Sequence, residues 1–377
     1  MADNKDKKVL NVPALRFPEF TGEWERHKLS EVCSFYSGGT PSSSKKEYYN
    51  GNIPFIRSGE LHKDYTELFI TEAGLSNSAA KLVETGDLLL ALYGATSGDI
   101  AISKIKGAIN QAILCIRTKQ NKKFIESVWN KHVERLLQTY LQGGQGNLSA
   151  DIVKNIPFYF ANSNEQDKLA KFISLLDERI ATQNKIIEKL ETLIKGIRHK
   201  VFKQLRKDFG FNSTIGDILS FEQPQRYIVS SAEYSNDDTF IPVLTANKAF
   251  ILGYTTETDG IYDKGDCIII DDFTLDCKYV SFPFKVKSSA IKILTANNKF
   301  ILRYTYEYLK SLELSTEEHK RHYITEIQPY SCVLPDENTL KTIALVFENL
   351  AYKLSNEQSL ALILNKQRQY LLSKMFI

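Results

Sequence analysis

Residues from about Asn164 to Gln204 constrain this chain most, because an apolar seam repeats there every seven residues. One row of the seam is β-branched and the other is mostly leucine, which is heptad patterning. The two rows are Ile173, Ile180, Ile187, Ile194 and Val201, and Leu169, Leu176, Gln183, Leu190 and Ile197. The remaining positions are rich in charge, so the pattern predicts a helix of roughly 60 Å with a single apolar stripe. Such a helix needs a partner that covers the stripe.

A second helix with the same seam follows 174 residues later in the chain. The polar break at Gln183 falls on another polar residue, Glu357, and Val201-Phe202 falls on Met375-Phe376. Proline, capping residues and early acids precede both helices, as expected of helix starts. We predict that the two helices pack antiparallel, with Gln183 and Glu357 facing each other and fixing the register.

Each long helix is preceded by a mixed segment of short apolar runs, glycine turns and one helical stretch. In the first segment strands are predicted at 53–57, 88–93, 99–105 and 112–117, and a helix at 121–141. The second segment repeats this order faintly, since Ile241-Pro242 echoes Ile53-Pro54. A half-chain repeat of this kind predicts the order domain, helix, domain, helix.

The predicted fold class is therefore α+β, with two mixed α/β domains separated by two long antiparallel helices. The helices form an intramolecular coiled coil with a pseudo-two-fold axis. The predicted segments are an N-terminal arm (1–24), a first mixed domain (25–160), a central helix (161–207), a second mixed domain (208–333) and a C-terminal helix (334–377). We expect the arm to be a strand-like tail packed on a domain.

The composition indicates a globular protein of 377 residues, with 43% hydrophobic and 25% charged residues. No apolar run reaches the ~18 residues of a membrane span, and the first residues do not form an export signal. The five cysteines are scattered, which is typical of reduced residues in a cytoplasmic protein. The net charge is only +3, so any grip on nucleic acid through phosphates must rest on local positive charge.

The predicted arrangement suits duplex DNA. Two modules related by a two-fold axis and held by a rigid spacer match DNA half-sites, which recur at whole-turn spacings of roughly 34 Å. Because the two mixed segments have diverged, we expect the two half-sites to differ in sequence but to keep a fixed gap.

Short motifs in the first half strengthen this hypothesis. They are Ser37-Gly38-Gly39-Thr40-Pro41, Tyr49-Asn50-Gly51, Ile53-Pro54-Phe55-Ile56, Gly86-Asp87-Leu88-Leu89, Tyr93-Gly94-Ala95-Thr96, Asn110-Gln111-Ala112 and Glu165-Gln166. In this order, and with the half-chain repeat, the chain resembles the DNA specificity subunits of type I restriction-modification systems. The second half departs from the pattern, because Glu222-Gln223-Pro224-Gln225-Arg226 stands where Gly-Gly-Thr-Pro is expected.

The resemblance implies a target-recognition domain in each mixed segment, each reading one part of a split DNA sequence. It implies that the helices set the spacing and bind two adenine-methylating modification subunits, to which ATP-dependent restriction subunits attach. It further implies a non-catalytic chain that binds no cofactor, with S-adenosylmethionine, ATP and Mg in the partner subunits. The expected partners are thus double-stranded DNA, modification subunits and restriction subunits, with no membrane.

Candidate DNA contacts are chiefly polar or basic residues near predicted turns, among them those after the double glycine, at the end of the strand 53–57 and in the glycine-rich loop that ends the helix 121–141. Arg and Lys read guanine, Asn and Gln read adenine, and Glu accepts from cytosine in the major groove. The candidates are Ser42, Ser43, Lys45, Lys46, Tyr48, Arg57, Ser58, Glu60, Gln145 and Asn147 in the first half, and Gln223, Gln225, Arg226, Asn247, Lys248 and Lys278 in the second. Each is also compatible with a solvated surface, and the glycine-rich loop that holds Gln145 and Asn147 is equally compatible with a plain turn.

Two other functions are compatible with these residues. An orphan or decoy subunit would bind modification subunits without competent target recognition. A metal-dependent nuclease would use Asp276-Cys277-Lys278 with Asp271 and Asp272, although that tripeptide is common by chance. The chain contains neither an adenine-methyltransferase Asn/Asp-Pro-Pro-Tyr motif nor a phosphate-binding G-x-x-x-x-G-K-[ST] loop.

Overall fold

The structure is a computed structural model that describes residues 10–140, 147–246, 249–314, 316 and 320–377. The chain divides into two compact units. The first unit comprises residues 1–182 with 361–377, and the second comprises residues 183–360.

The first unit is built on two sheets and a short strand pair. Its strands are β1 (Glu25–Lys28), β2 (Cys33–Ser37), β3 (Tyr49–Ile56), β4 (Phe69–Ile70), β5 (Lys81–Val83), β6 (Leu88–Ala91), β7 (Ile100–Ile102), β8 (Gly107–Ile109), β9 (Ile113–Thr118) and β10 (Pro157–Phe160). The strand orders are β2-β9-β6-β7 and β4-β3-β8-β5, and β1 pairs with β10. Within the second of these sheets β3 and β8 run parallel. Every residue of β6 is buried, which explains its continuous apolar run.

The helices of the first unit are α1 (Leu29–Val32), α2 (Glu72–Ser76), α3 (Lys122–Tyr140), α4 (Ala150–Asn155) and the first part of α5 (Ser163–Phe209). Asn121 begins α3 because its Oδ1 accepts from the N–H groups of Lys123 and Phe124. The apolar face of α3, including Phe124 and Trp129, packs into the main core of the unit.

The N-terminal arm packs against the first turns of α5. The guanidinium of Arg16 donates to both carboxylate oxygens of Glu165 at 2.7 Å. The ring of Phe17 meets Phe172 edge-on at 5.9 Å. The described part of the arm therefore packs on α5, and residues 10–24 contain no strand, contrary to the expected strand-like form.

The second unit repeats the framework of the first. Its strands are β11 (Ser213–Thr214), β12 (Ser220–Glu222), β13 (Ile241–Leu244), β14 (Ile251–Thr255), β15 (Cys267–Asp271), β16 (Cys277–Val280), β17 (Lys285–Val286), β18 (Ile291–Thr295) and β19 (Ser331–Cys332). The order β12-β18-β15-β16 matches β2-β9-β6-β7, and β14-β13-β17 matches β4-β3-β8. The strands β13 and β17 also run parallel, like β3 and β8. Its helices are α6 (Ile215–Ile218), α7 (Lys299–Ser311) and most of α8 (Glu337–Met375).

The two long helices run antiparallel in each unit. In the first unit, Asp177 of α5 contacts Arg368 of α8, and the earlier Ile173 shares a core with the later Leu372. In the second unit, Gln183 contacts Glu357, and the later Arg198 lies over the ring of the earlier Phe347. The predicted α+β class, with two mixed domains and an antiparallel helix pair, is confirmed.

Strand β3 is longer than the sequence predicted. It begins at Tyr49 instead of Ile53, and its register to β4 shifts between these two residues. Asn50 has a φ of 59°, in the left-handed region, which forms the irregularity. This irregularity breaks the alternation of apolar residues and hides the start of the strand.

Candidate nucleic-acid interface

The polar pair in the helix seam is in direct contact. Gln183 is 6% exposed, and its Nε2 donates to Glu357 Oε2 at 2.6 Å and to the Glu357 carbonyl oxygen at 3.1 Å. The buried amide is thus hydrogen-bonded at the one level of the seam where both helices carry a polar residue at the repeat position. Its role in fixing the register stays a prediction.

The double glycine after β2 packs against neighbouring backbone. A Cβ on Gly38 would lie 1.8 Å from the carbonyl oxygen of Ile109, and one on Gly39 would lie 2.6 Å from the Cβ of Ala79. Only glycine permits such close approaches. The motif therefore positions the loop that follows it.

Two further hydrogen bonds pin the start of this loop. Thr40 Oγ1 donates to Gln111 Oε1 at 2.7 Å, and the Tyr49 hydroxyl donates to the carbonyl oxygen of Pro41 at 2.6 Å. The motif residues at 37–41 and 110–111 are thus engaged with each other and form a base for the exposed tip.

The tip of the loop presents polar and basic groups. Ser42, Ser43, Lys45 and Lys46 are exposed. Tyr48 is only 7% exposed, and its hydroxyl accepts from Lys45 Nζ at 3.0 Å. The tyrosine ring is therefore placed to support Lys45 and not to stack on a base.

Arg57 and Glu60 form a closed pair at the end of β3. The Glu60 carboxylate accepts from the Arg57 backbone N–H at 3.0 Å and from Arg57 Nη2 at 2.9 Å. Thr66 Oγ1 donates to the same carboxylate at 3.0 Å, and Glu67 accepts from Arg57 Nη2 at 3.0 Å. Burial alone would raise the pKa of Glu60, but the hydrogen bonds from Arg57 and Thr66 outweigh it and lower this pKa to about 2.

This geometry separates the roles of the two residues. The Arg57 side chain is 46% exposed, whereas that of Glu60 is 4% exposed. The Glu60 carboxylate is occupied inside the unit, which suits it to hold Arg57 and not to accept from cytosine. The two N–H groups of Arg57 Nη1 have no acceptor among the described residues, so they remain for an outside contact. Ser58 is half-buried in the turn that follows.

In the second unit the counterpart loop is held by a buried charge pair. Lys292 of β18 is 1% exposed, and its Nζ lies 3.1 Å from Asp272 Oδ2 and donates to Gln223 Oε1 at 2.9 Å. Asp272 Oδ1 accepts from the N–H groups of His322 and Tyr323. Because lysine only donates, the oxygen of the Gln223 amide faces inward. Exposed Gln223 therefore offers its NH₂ group to solvent.

The other candidates are dispersed. Gln225 and Arg226 are exposed on the turn at Pro224–Tyr227. Lys278 is half-buried on β16, opposite Ile269, and Asn147 is exposed ahead of α4. Gln145, Asn247 and Lys248 lie outside the described residues. That any of the candidates touches DNA stays a prediction.

Two of the carboxylates proposed for a nuclease centre, those of Asp271 and Asp272, serve the fold. Asp271 Oδ1 accepts from the N–H groups of Phe273 and Thr274 at 2.9 Å, which closes the turn after β15. Asp272 is engaged as described above. Across the described parts of the chain, no group of three His, Cys, Asp or Glu side chains is arranged to hold a metal ion.

Sequence reasoning missed the Lys292–Asp272 pair. The signal was a lysine between Ile291 and Ile293 in an apolar strand. A lysine is almost never fully buried without a partner, so it called for a nearby acid.

Residues 21–192 match the family described as "Type I restriction modification DNA specificity domain". This match covers somewhat less than half of the chain. It is similar to the EcoR124I/EcoR124II type I restriction enzyme specificity subunit of Escherichia coli, with 44% identity over 141 residues that cover 36% of this chain and 35% of that subunit.

A second relative is the MjaVIII specificity subunit of Methanocaldococcus jannaschii, 25% identical over 203 residues that cover 52% of this chain and 45% of the relative. The matches thus span less than half of either relative's length. The crystal structure of a type I restriction-modification S subunit from M. genitalium has a similar fold, with a TM-score of 0.66 at 17% identity, covering 97% of this chain and 99% of that one.

Among the described helices, none combines the length and the apolar composition that crossing a membrane requires.

Proposed function

We propose that this chain is the DNA-binding specificity subunit of a type I restriction-modification complex and reads a split target, one part with each unit. One observation carries the proposal: the two units share their strand order, but the loops after β2 and β12 differ. A repeated framework with unlike loops suits a target whose two parts have unlike sequences. The pinned loop at 42–48 and the outward Arg57 support contact in the first unit, and Gln223, Gln225 and Arg226 support it in the second.

The long helices set the spacing of the two target parts and bind two modification subunits. Apolar side chains that the helix pair leaves exposed support this docking role. They are Leu175, Leu362, Ile363 and Tyr370 in the first unit, and Leu193, Leu345, Val346 and Tyr352 in the second. Restriction subunits attach to the resulting assembly. The chain itself is non-catalytic, and the partner subunits bind S-adenosylmethionine, ATP and Mg.

The test is co-expression with the modification subunit of the same host, followed by mapping of methylated adenines in the DNA. We expect methylation within one split sequence of fixed gap, and none when either protein is expressed alone. Co-purification of the two proteins without methylation of any split sequence would favour a decoy subunit instead. Metal-dependent DNA cleavage by the lone chain would contradict a non-catalytic role.

A further inference from the structure

The second half of α5 carries a basic run that lies outside the loops proposed to read bases (42–48, 57–60 and 223–226), which are called the reading loops below. No acidic residue occurs from Thr192 to Lys207. Two cations in this run are paired, Lys195 with Glu313 at 2.7 Å and Arg198 with Glu307 at 2.7 Å. The other four, Lys200, Lys203, Arg206 and Lys207, are exposed, and none forms an ion pair with a described residue.

The helix dipole accounts for only part of this run. Cations at the C-terminal end of a helix are favourable, but the effect falls off within the last turn. The helix continues to Phe209, so Arg206 and Lys207 lie in its last turn. Lys200 and Lys203 lie further back and need another explanation.

The three lysines among these four cations share one face of the helix with a glycine. The steps from Gly196 to Lys200, Lys203 and Lys207 are those that bring residues to the same side of an α-helix. We call these four residues the α5 basic face. A Cβ on Gly196 would meet no atom within 4 Å, so the surface above it is open.

A groove of about 380 Å³ runs beside this face. Lys200, His199 and Gly196 line one side, and Lys310 of α7 lines the other. Among the described residues that line the groove, the acidic one is Glu313, and it already forms an ion pair with Lys195. Glycine inside a helix is destabilising relative to alanine, so its presence at Gly196 calls for a reason. Because Gly196 has no side chain, an outside group can approach the helix backbone closely beside the groove.

The helix pair does not require this charge. The α8 positions that correspond to Gly196, Lys200 and Lys203 in the repeat are Tyr370, Lys374 and Ile377. Both helices pack by the same seam, yet only α5 carries the basic face. The charge therefore serves a purpose other than coiled-coil packing.

We infer that the α5 basic face contacts the phosphate backbone of duplex DNA, independently of base sequence. This inference rests on the proposed function and adds to it a contact outside the reading loops. Lys200 to Lys207 extend about 10 Å along the helix, a length that faces roughly three phosphates of one strand. A protein partner fits less well from Lys200 onward, because lysine is depleted in protein–protein interfaces and residues 200–207 include no exposed large apolar side chain.

The test compares two triple variants with the same change in net charge. The first is Lys200→Gln, Lys203→Gln, Lys207→Gln. The matched control is Lys185→Gln, Lys189→Gln, Lys353→Gln, three exposed lysines of the same unit that form no ion pair with described residues. Glutamine keeps the helix propensity close to that of lysine, so both variants should fold. A thermal melt followed by circular dichroism checks this.

Binding is measured for the full chain assembled with its modification subunits, on its target duplex and on a random duplex, over a series of salt concentrations. We expect the log–log salt slope of the first variant to shrink by about 2 to 3, because each lost phosphate contact removes ~0.9. Its Kd should rise roughly tenfold or more at 0.1 M salt on both duplexes, so that the ratio between them stays constant. The control should keep the parent slope.

An unchanged slope in the first variant would overturn the inference, and so would an equal loss in both variants. Loss of modification subunits from the first variant with an unchanged slope would assign the face to a protein contact instead. Failure of the proposed function is seen separately, as a parent assembly that does not prefer its target over random DNA. The slope on the random duplex still decides whether the basic face touches phosphate.

Discussion

The two units share a backbone framework but hold their long helices with different charges. In the first unit, Asp177 of α5 contacts Lys123 of α3 and Arg368 of α8. In the second unit the bridging acid lies on α7 instead, where Glu307 accepts from Arg198 of α5 and from Arg303. The apolar pattern therefore maintains the fold in both units. The charged contacts that join the mixed domain to the helix pair use different residues in the two units. In each unit, however, one acid lies between two cations.

The largest effect should be the same in both units. Phe202 and Phe376 occupy equivalent repeat positions and are fully buried, Phe202 against Tyr304 and Tyr308 and Phe376 against Trp24 and Phe124. We expect Phe202→Ala and Phe376→Ala each to lower the free energy of unfolding by about 3 to 5 kcal/mol, because a large cavity forms. Urea unfolding followed by hydrogen exchange in each unit measures both losses. A large cost in one unit only would show that the aromatic clusters are not equivalent.

The bridging acids should differ. The Glu307 side chain is 1% exposed and that of Asp177 is 28% exposed. Removing one partner of a buried pair leaves uncompensated charge, so Glu307→Gln should cost about 3 kcal/mol or more. Asp177 is partly exposed, so Asp177→Asn should lower the free energy of unfolding by only about 1 kcal/mol, because water screens the cations left behind. Urea unfolding of both variants gives the comparison, and equal costs would contradict it.

The stability of the turn after β3, which holds Arg57 and Glu60, should fall at acidic pH. The pKa of Glu60 falls from its ordinary 4.5 to about 2 in the folded chain, so its contribution is fully present above about 4.5 and is lost as the pH falls toward 2. We expect Glu60→Gln to remove this contribution, about 1 to 3 kcal/mol, and to flatten the pH dependence of stability. Unfolding at pH 5 and pH 3 measures the difference between parent and variant. The same slope in both would show that Glu60 does not stabilise the turn after β3.

The helix pair was predictable because apolar residues recur every seven positions in both segments. The repeat was predictable because the two patterns match at a separation of 174 residues. The strand order was not, since short strands such as β8 and β17 pair through distant contacts that no local pattern records. Candidate site residues were chosen by chemical type and by their position near predicted turns. That choice found exposed Lys45 and Arg226, but it could not tell that Glu60 is buried beneath Arg57. Such burial depends on how the turn after β3 folds back on Thr66.

The smallest effect should come from replacing both members of the polar pair in the seam. Gln183→Leu alone should cost about 1 to 3 kcal/mol, because it leaves the carboxylate of Glu357 without its donor. Replacing both residues by leucine should change the free energy of unfolding by less than about 1 kcal/mol, since two apolar side chains then face each other where the buried polar pair was. A double-mutant cycle in urea measures the coupling. Additive losses would show that the hydrogen bond between them contributes nothing.

The central claim is that two unlike units each read one part of a split DNA sequence. The most direct measurement replaces residues 36–141 with the same span of a related specificity subunit and maps methylated adenines after co-expression with the modification subunit. We predict that one part of the methylated sequence changes while the other part and the gap stay the same. A change in both parts, or in neither, would contradict the claim.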